Sequence, residues 1–134
     1  MRATPVVRPL LLTVNEPDEI LHIAIPDEWQ AARATGEYRI STRGKTLDEV
    51  GFIHCSYPRQ VVRVANFAYG DLSELVLLHL EPELLEGEVK LEPAADGGGE
   101  LYPHVYGPIP TAAVIAETWW DRGDDGLWHL PAIW

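Results

Sequence analysis

A chain of 134 residues, 46% hydrophobic and 23% charged, is long enough for one domain with its own core, and this globular composition argues against a disordered chain. Its 21 acidic residues against 10 basic ones leave a net charge of −11, which repels nucleic-acid backbones and anionic membranes. No apolar run approaches a bilayer span, and the single cysteine, Cys55, excludes an internal disulfide framework and fits a reducing cytoplasm.

Residues 1–19 read as an N-terminal extension. The stretch "MRATPVVRPLLLTV" loosely mimics a signal peptide, but its apolar run is short, Pro9 abuts it and no small-x-small site follows. The domain itself is expected over residues 20–134. "EILHIAI" (19–25) predicts a strand. In "PDEWQAARATG", Asp27 as N-cap with Gln30 three residues on starts a helix and Gly36 stops it. "TLDEVG" predicts one helical turn closed by a capping box between Thr46 and Glu49. "GFIHCS" (51–56) predicts a buried strand, with Ser56 as cap for the helix in "YPRQVVRVANFAYG". There Val61, Val64, Ala65 and Ala68 share one face before Gly70. "ELVLLHLE" (74–81) is apolar nearly throughout and is expected to be central in a sheet. "GEVKLE" (87–92) predicts a further strand, and "AADGGGE" (94–100) a flexible turn. The tail "AVIAETWWDRGDDGLWHLP" reads as two strands joined by a Gly- and Asp-rich turn. Together these predict an α+β fold: a curved, mixed or antiparallel sheet with two substantial helices on one side.

The chain has five histidines. His79 in "VLLHL" and His129 in "LWHLP" are expected to be structural. His22 and His54 lie in short strands bounded by polar turns, where a side chain can line a cleft floor. Strand alternation puts His54 and Ser56 on one face and Cys55 on the other, packed away from any site. There is no Gly-x-Ser-x-Gly elbow, no histidine pair at ligand spacing and no phosphate-binding loop, so neither a serine triad nor a metal centre is expected. "GELYPHVYGPIP" (99–110) is unlike an ordinary strand, because proline removes ladder donors. Tyr102, His104 and Tyr106 alternate, while Pro103, Pro108 and Pro110 stiffen the backbone and Gly107 permits a bend. Two readings stay open: a rigid edge segment whose aromatics cover the core, or a rigid wall presenting imidazole and phenols to a cleft. On the second, the backbone places His104 without burial in apolar core, and His104→Ala is expected to leave the melting temperature nearly unchanged.

In this order, "LHIAIPDEWQAARATGEYR", "GFIHCSYPRQVVRVANFAYG", "LVLLHLEPELL" and "GGELYPHVYGPIP" resemble a small bacterial family, domain of unknown function 952, over about residues 20–131. The resemblance implies an ADP-ribosyltransferase-like fold: a split, strongly curved sheet with a cleft between its halves. It implies His22 at an NAD ribose, His54 and Ser56 beside the nicotinamide, and a third position filled by Glu92, Glu100 or His104. Two departures touch the substrate contacts: Leu21 where an aromatic commonly precedes the first histidine, and Lys90-Leu91 in place of a basic-plus-aromatic pair before Glu92. A pyrophosphate also needs a basic partner, for which Arg39, Arg43 and Arg59 are candidates.

The expectation is thus a cytoplasmic small-molecule enzyme, with NAD or another nucleotide the first ligand to test. His22, His54, His104 and Glu92 would be catalytic; Ser56, Tyr102, Tyr106 and Arg39 would bind substrate. The three histidines are expected to open into one cleft. The alternatives are an NAD-independent acid–base enzyme, for example of a cyclisation or isomerisation step in biosynthesis, and a non-catalytic ligand-binding or regulatory module.

Overall fold

A computed structural model describes residues 19–94 and 99–131. Its elements in chain order are β1 (Ile20–Ala24), α1 (Pro26–Thr35), β2 (Glu37–Tyr38), β3 (Ile40–Thr42), β4 (Lys45–Thr46), α2 (Leu47–Val50) and β5 (Ile53–His54). There follow α3 (Val61–Ala68), β6 (Glu74–Leu80), β7 (Glu88–Pro93), β8 (Leu101–Tyr106), β9 (Ile109–Pro110) and β10 (Val114–Asp121). The fold class is α+β, with open antiparallel sheets and few helices.

The apolar run of β6 lies in the middle of a sheet ordered β1-β6-β10, as expected. Its alternation sends Leu75 and Leu77 to one face and Val76, Leu78 and Leu80 to the other. Both faces therefore need a cover. On one, α1 contributes Trp29 and Ala32 against Ile20, Ala24, Val76 and Leu78. On the other, α3 contributes Val61 and Ala65 against Leu21, Ile23, Leu75 and Leu77. The helices thus flank the sheet on both sides, not on one as expected, because a strand apolar on both faces cannot leave either to water. Each fully buried Val or Leu here contributes about 1.5–3 kcal/mol.

The second three-stranded sheet is ordered β5-β8-β7, so the proline-bearing segment is a central strand. The physical reason lies at Pro103. Its carbonyl accepts from the Cys55 N–H at 2.9 Å, but it has no N–H to return. The β5–β8 ladder therefore stops just past the His54–His104 pair, while β7 continues alongside with Leu91 opposite Pro103. The freed chain crosses to the other sheet, where Ser56 and Leu21 exchange two backbone hydrogen bonds of 2.8 Å. This bridge makes the seam between the two sheets.

Local signals account for the helix ends. α1 opens with Pro26 behind Ile25, which makes no side-chain cap; Asp27, expected as the cap, lies within the first turn, where its charge still suits the helix dipole. Gly36 ends the helix at φ 95°. The Thr46–Glu49 capping box forms, with Thr46 N–H donating to Glu49 Oε1 at 2.8 Å and Glu49 N–H to Thr46 Oγ1 at 3.3 Å. α3 is entered through a 3-10 turn (Pro58–Gln60), and the Tyr57 N–H donates to Gln60 Oε1 at 2.9 Å. Ser56 is not its cap: Tyr57 precedes the 3-10 turn and Gln60 precedes α3 itself. The tail holds β10 without the expected second strand. Instead, Trp128 donates its backbone N–H to Asn66 Oδ1 at 2.8 Å and its indole N–H to the Tyr69 carbonyl at 3.0 Å, so it docks on the end of α3. Residues 95–98 of the expected glycine-rich turn, 1–18 of the extension and 132–134 lie outside the described residues. Among those described, no helix is long and apolar enough to cross a membrane.

Gly87, just before β7, is held where a Cβ would lie 2.4 Å from the Tyr106 carbonyl oxygen and 2.7 Å from the Gly107 nitrogen. Backbone cannot swing aside as a side-chain tip can. Gly87→Ala is therefore expected to destabilise the fold by about 1–3 kcal/mol, read as a lower urea midpoint. An unchanged midpoint would mean that the β7–β8 contact yields freely.

Candidate functional site

The register of β5 on β8 sets His54 directly opposite His104. In front of them opens a cavity of about 440 Å³, within the range of small-molecule sites. Phe52, His54, Tyr102 and His104 form one side, Val64, Phe67 and Ala68 of α3 another, and Ser41, Thr42 and Lys45 a third. The even-numbered residues of β8 share this face, and across the strand pair so does Glu92.

These side chains form a connected line. Glu92 Oε1 accepts from the Tyr106 hydroxyl at 2.6 Å and from His104 Nδ1–H at 2.9 Å. His104 Nε2 lies 3.3 Å from His54 Nδ1. Phe52 stacks on the His104 imidazole, with ring centroids 4.0 Å apart and 11° between planes. The Tyr102 ring stands 5.1 Å from the His54 ring. The Tyr106 hydroxyl, and after it His104, holds the Glu92 carboxyl below the ordinary range. In turn the bond to Glu92 raises the Tyr106 phenol, which stays protonated. With Glu92 ionised, His104 carries its proton on Nδ1 and turns the Nε2 lone pair toward His54. Chemically, the array can take up or release a proton at His54 and share the resulting charge, through the buried His104, with a carboxylate.

Residues 23–117 match the family described as protein of unknown function, DUF952. The chain belongs to this family. Among solved structures it is similar to the crystal structure of protein CC0527 from Caulobacter crescentus, at 33% identity and a TM-score of 0.71, covering 84% of this chain and 94% of that one. It is also similar to the solution structure of CC0527, at 32% identity and a TM-score of 0.63, covering 87% and 98% respectively. No curated protein matches the chain. The DUF952 span holds His54, Glu92, Tyr102, His104 and Tyr106, whereas His22 lies just ahead of it.

His22 does not line the cavity of this DUF952 chain. Its ring is buried behind His54: Nδ1–H donates to the His54 carbonyl at 2.8 Å and Nε2 accepts from the Tyr38 hydroxyl at 2.9 Å. Burial, outweighing the bond to that carbonyl, pushes the His22 pKa down to about 4. It is a neutral strut that fixes the His54 backbone, so the three histidines do not open into one cleft as expected. Ser56 sits with His22, Ser41 and His54 around a void of about 10 Å³ behind the cavity. His104 is 2% exposed, so stacking and hydrogen bonding hold it as much as its prolines do. That overturns the expectation of a surface-type side chain. Cys55 points the other way, into the core beside Ile53 and Val105, and burial raises its thiol far from a reactive state.

The arginines fall elsewhere than expected. Arg39 is spent on Glu37 at 2.9 Å and Asp48 at 2.8 Å on the surface, Arg43 on Asp71 at 2.8 Å, and Arg59 lies 5.1 Å over the Tyr57 ring. The cavity's cations are Lys45 and Arg63, which sequence reasoning missed. Arg63 donates to the Tyr102 hydroxyl at 3.3 Å and pairs with Glu100 at 3.1 Å. Its signal was there, one residue before Val64 and four before Phe67 on a helix already read as amphipathic. Glu100 is thus a clamp on Arg63, and Glu92 is the carboxylate joined to the histidines. His79 bonds Glu19 at 2.6 Å and Thr118 at 2.7 Å, a structural role as expected.

Proposed function

We propose that the cavity is the active site of an enzyme that acts on a small molecule by acid–base catalysis. His54 meets the substrate, while His104 and Glu92 set its proton. The observation that carries this is the line from Glu92 Oε1 through His104 to His54 at the cavity wall. A carboxylate behind an imidazole fixes its tautomer and stabilises the cation that forms when a proton is taken up. Glu92 is a positioning residue here. It bonds His104 and is not among the residues that line the cavity.

A second reading is favoured by the place of the cavity beside the seam between two three-stranded sheets. On it, the split sheet is ADP-ribosyltransferase-like, His54 and Tyr102 flank a nicotinamide, and Lys45 and Arg63 replace the expected arginines at the pyrophosphate. Calorimetric titration with NAD, nicotinamide and ADP-ribose tests it; the absence of saturable heat from all three removes NAD and leaves the acid–base reading standing.

The acid–base reading is tested by NMR-detected turnover of small-molecule mixtures. His54→Gln is expected to lower turnover by about 10²–10⁴-fold with the fold intact. Full turnover in this variant would overturn the assignment of His54.

A further inference from the structure

Given that the cavity takes a small molecule, as proposed above, we infer that its ligand is an organic anion: a flat apolar body carrying one carboxylate or phosphate. Two independent features lead there. Much of the wall is apolar, with Val50, Phe52, Val64, Phe67 and Ala68 facing in. Phe67 is 79% exposed, although it sits on a helix whose other apolar residues are buried or half-buried. Nothing in the fold needs a large aromatic in water there, and a bound ring would cover it.

The second feature is charge. The chain has 21 acidic residues, yet no carboxylate lines the cavity among the described residues. The fixed charges on its wall are Lys45 and Arg63, two of the 10 basic residues in the chain. In a protein of net charge −11, a cavity with this selection is a local pocket of positive potential. Glu100 stays outside and orients Arg63, engaging one guanidinium nitrogen while the Tyr102 hydroxyl engages another. A guanidinium carries five donors, so the group is held in place with donors to spare.

The probes are benzoate, phenyl phosphate, benzyl alcohol and benzylamine, which share a ring and differ in charge. Each is titrated into the full chain while amide resonances of Ser41, His54 and Phe67 are followed by NMR. Benzoate or phenyl phosphate is expected to saturate these shifts at least about tenfold more tightly than benzyl alcohol, since a charge-assisted bond is what the neutral probe lacks. Whichever anion binds tighter tells carboxylate from phosphate. Lys45→Gln, a change at an exposed position, is expected to erase the preference for the anion and to leave benzyl alcohol unaffected. Benzylamine or benzyl alcohol binding as tightly as benzoate would overturn the anionic class, while the cavity remained a small-molecule site. If no probe moves the three resonances, the class falls as well, and the His54→Gln turnover test decides separately whether the active site stands.

Discussion

His104→Ala is expected to destabilise the fold by about 2–4 kcal/mol, lowering the melting temperature by roughly 8–15 °C. The ring is 2% exposed and stacked on Phe52, so truncation leaves a hole between β8 and that aromatic. It also takes a donor from Glu92 and the facing nitrogen from His54. The sequence alone suggested the reverse, a side chain removable at little cost. A melt unchanged from wild type would restore that view. A variant that melts early and yet binds ligand with full affinity would make His104 purely structural and would end the proton line at His54.

The second large effect is acid instability centred on His22. Its folded pKa of about 4 lies below the ordinary value of 6.5, so the unfolded chain takes up the proton first. The sign follows: this stabilisation is complete above pH 6.5 and is lost as pH falls toward 4, and with the ring fully buried it amounts to about 3 kcal/mol. Carboxylates with lowered values, Glu92 and Asp71 among them, add a loss of the same sign as they protonate. The measurement is therefore a difference. Between pH 7 and pH 4 the stability of wild type should fall by about 3 kcal/mol more than that of His22→Gln, because glutamine keeps a donor and an acceptor but does not titrate. Parallel curves would show that His22 is not the residue that charges.

What could be read in advance was what neighbours in sequence decide. The alternation in "ELVLLHLE", the Thr46–Glu49 box, Gly36 as helix stop, the shared face of Val61, Val64, Ala65 and Ala68, and the inward turn of Cys55 all depend on a few adjacent residues. What could not be read depends on partners far along the chain. Pro103 looked incompatible with a central strand because the side its missing N–H faces is fixed only by where β5 ends. His22 and His54 looked alike, each a histidine in a short strand, until Tyr38 and the His54 carbonyl closed over the first. Arg39 lost to Lys45 and Arg63 because the placing of β4 and α3 around the cavity decides which cations meet it.

The seam has a consequence for how the site holds its shape. Leu21 and Ser56 splice one sheet to the other, and the bond from His22 to the His54 carbonyl lies within two residues of that splice. The bonds that keep the halves together are thus neighbours of the bond that aims His54. Any breathing motion that parts the sheets at this point also releases the imidazole, so cohesion of the fold and alignment of the proton line fail in one cooperative event.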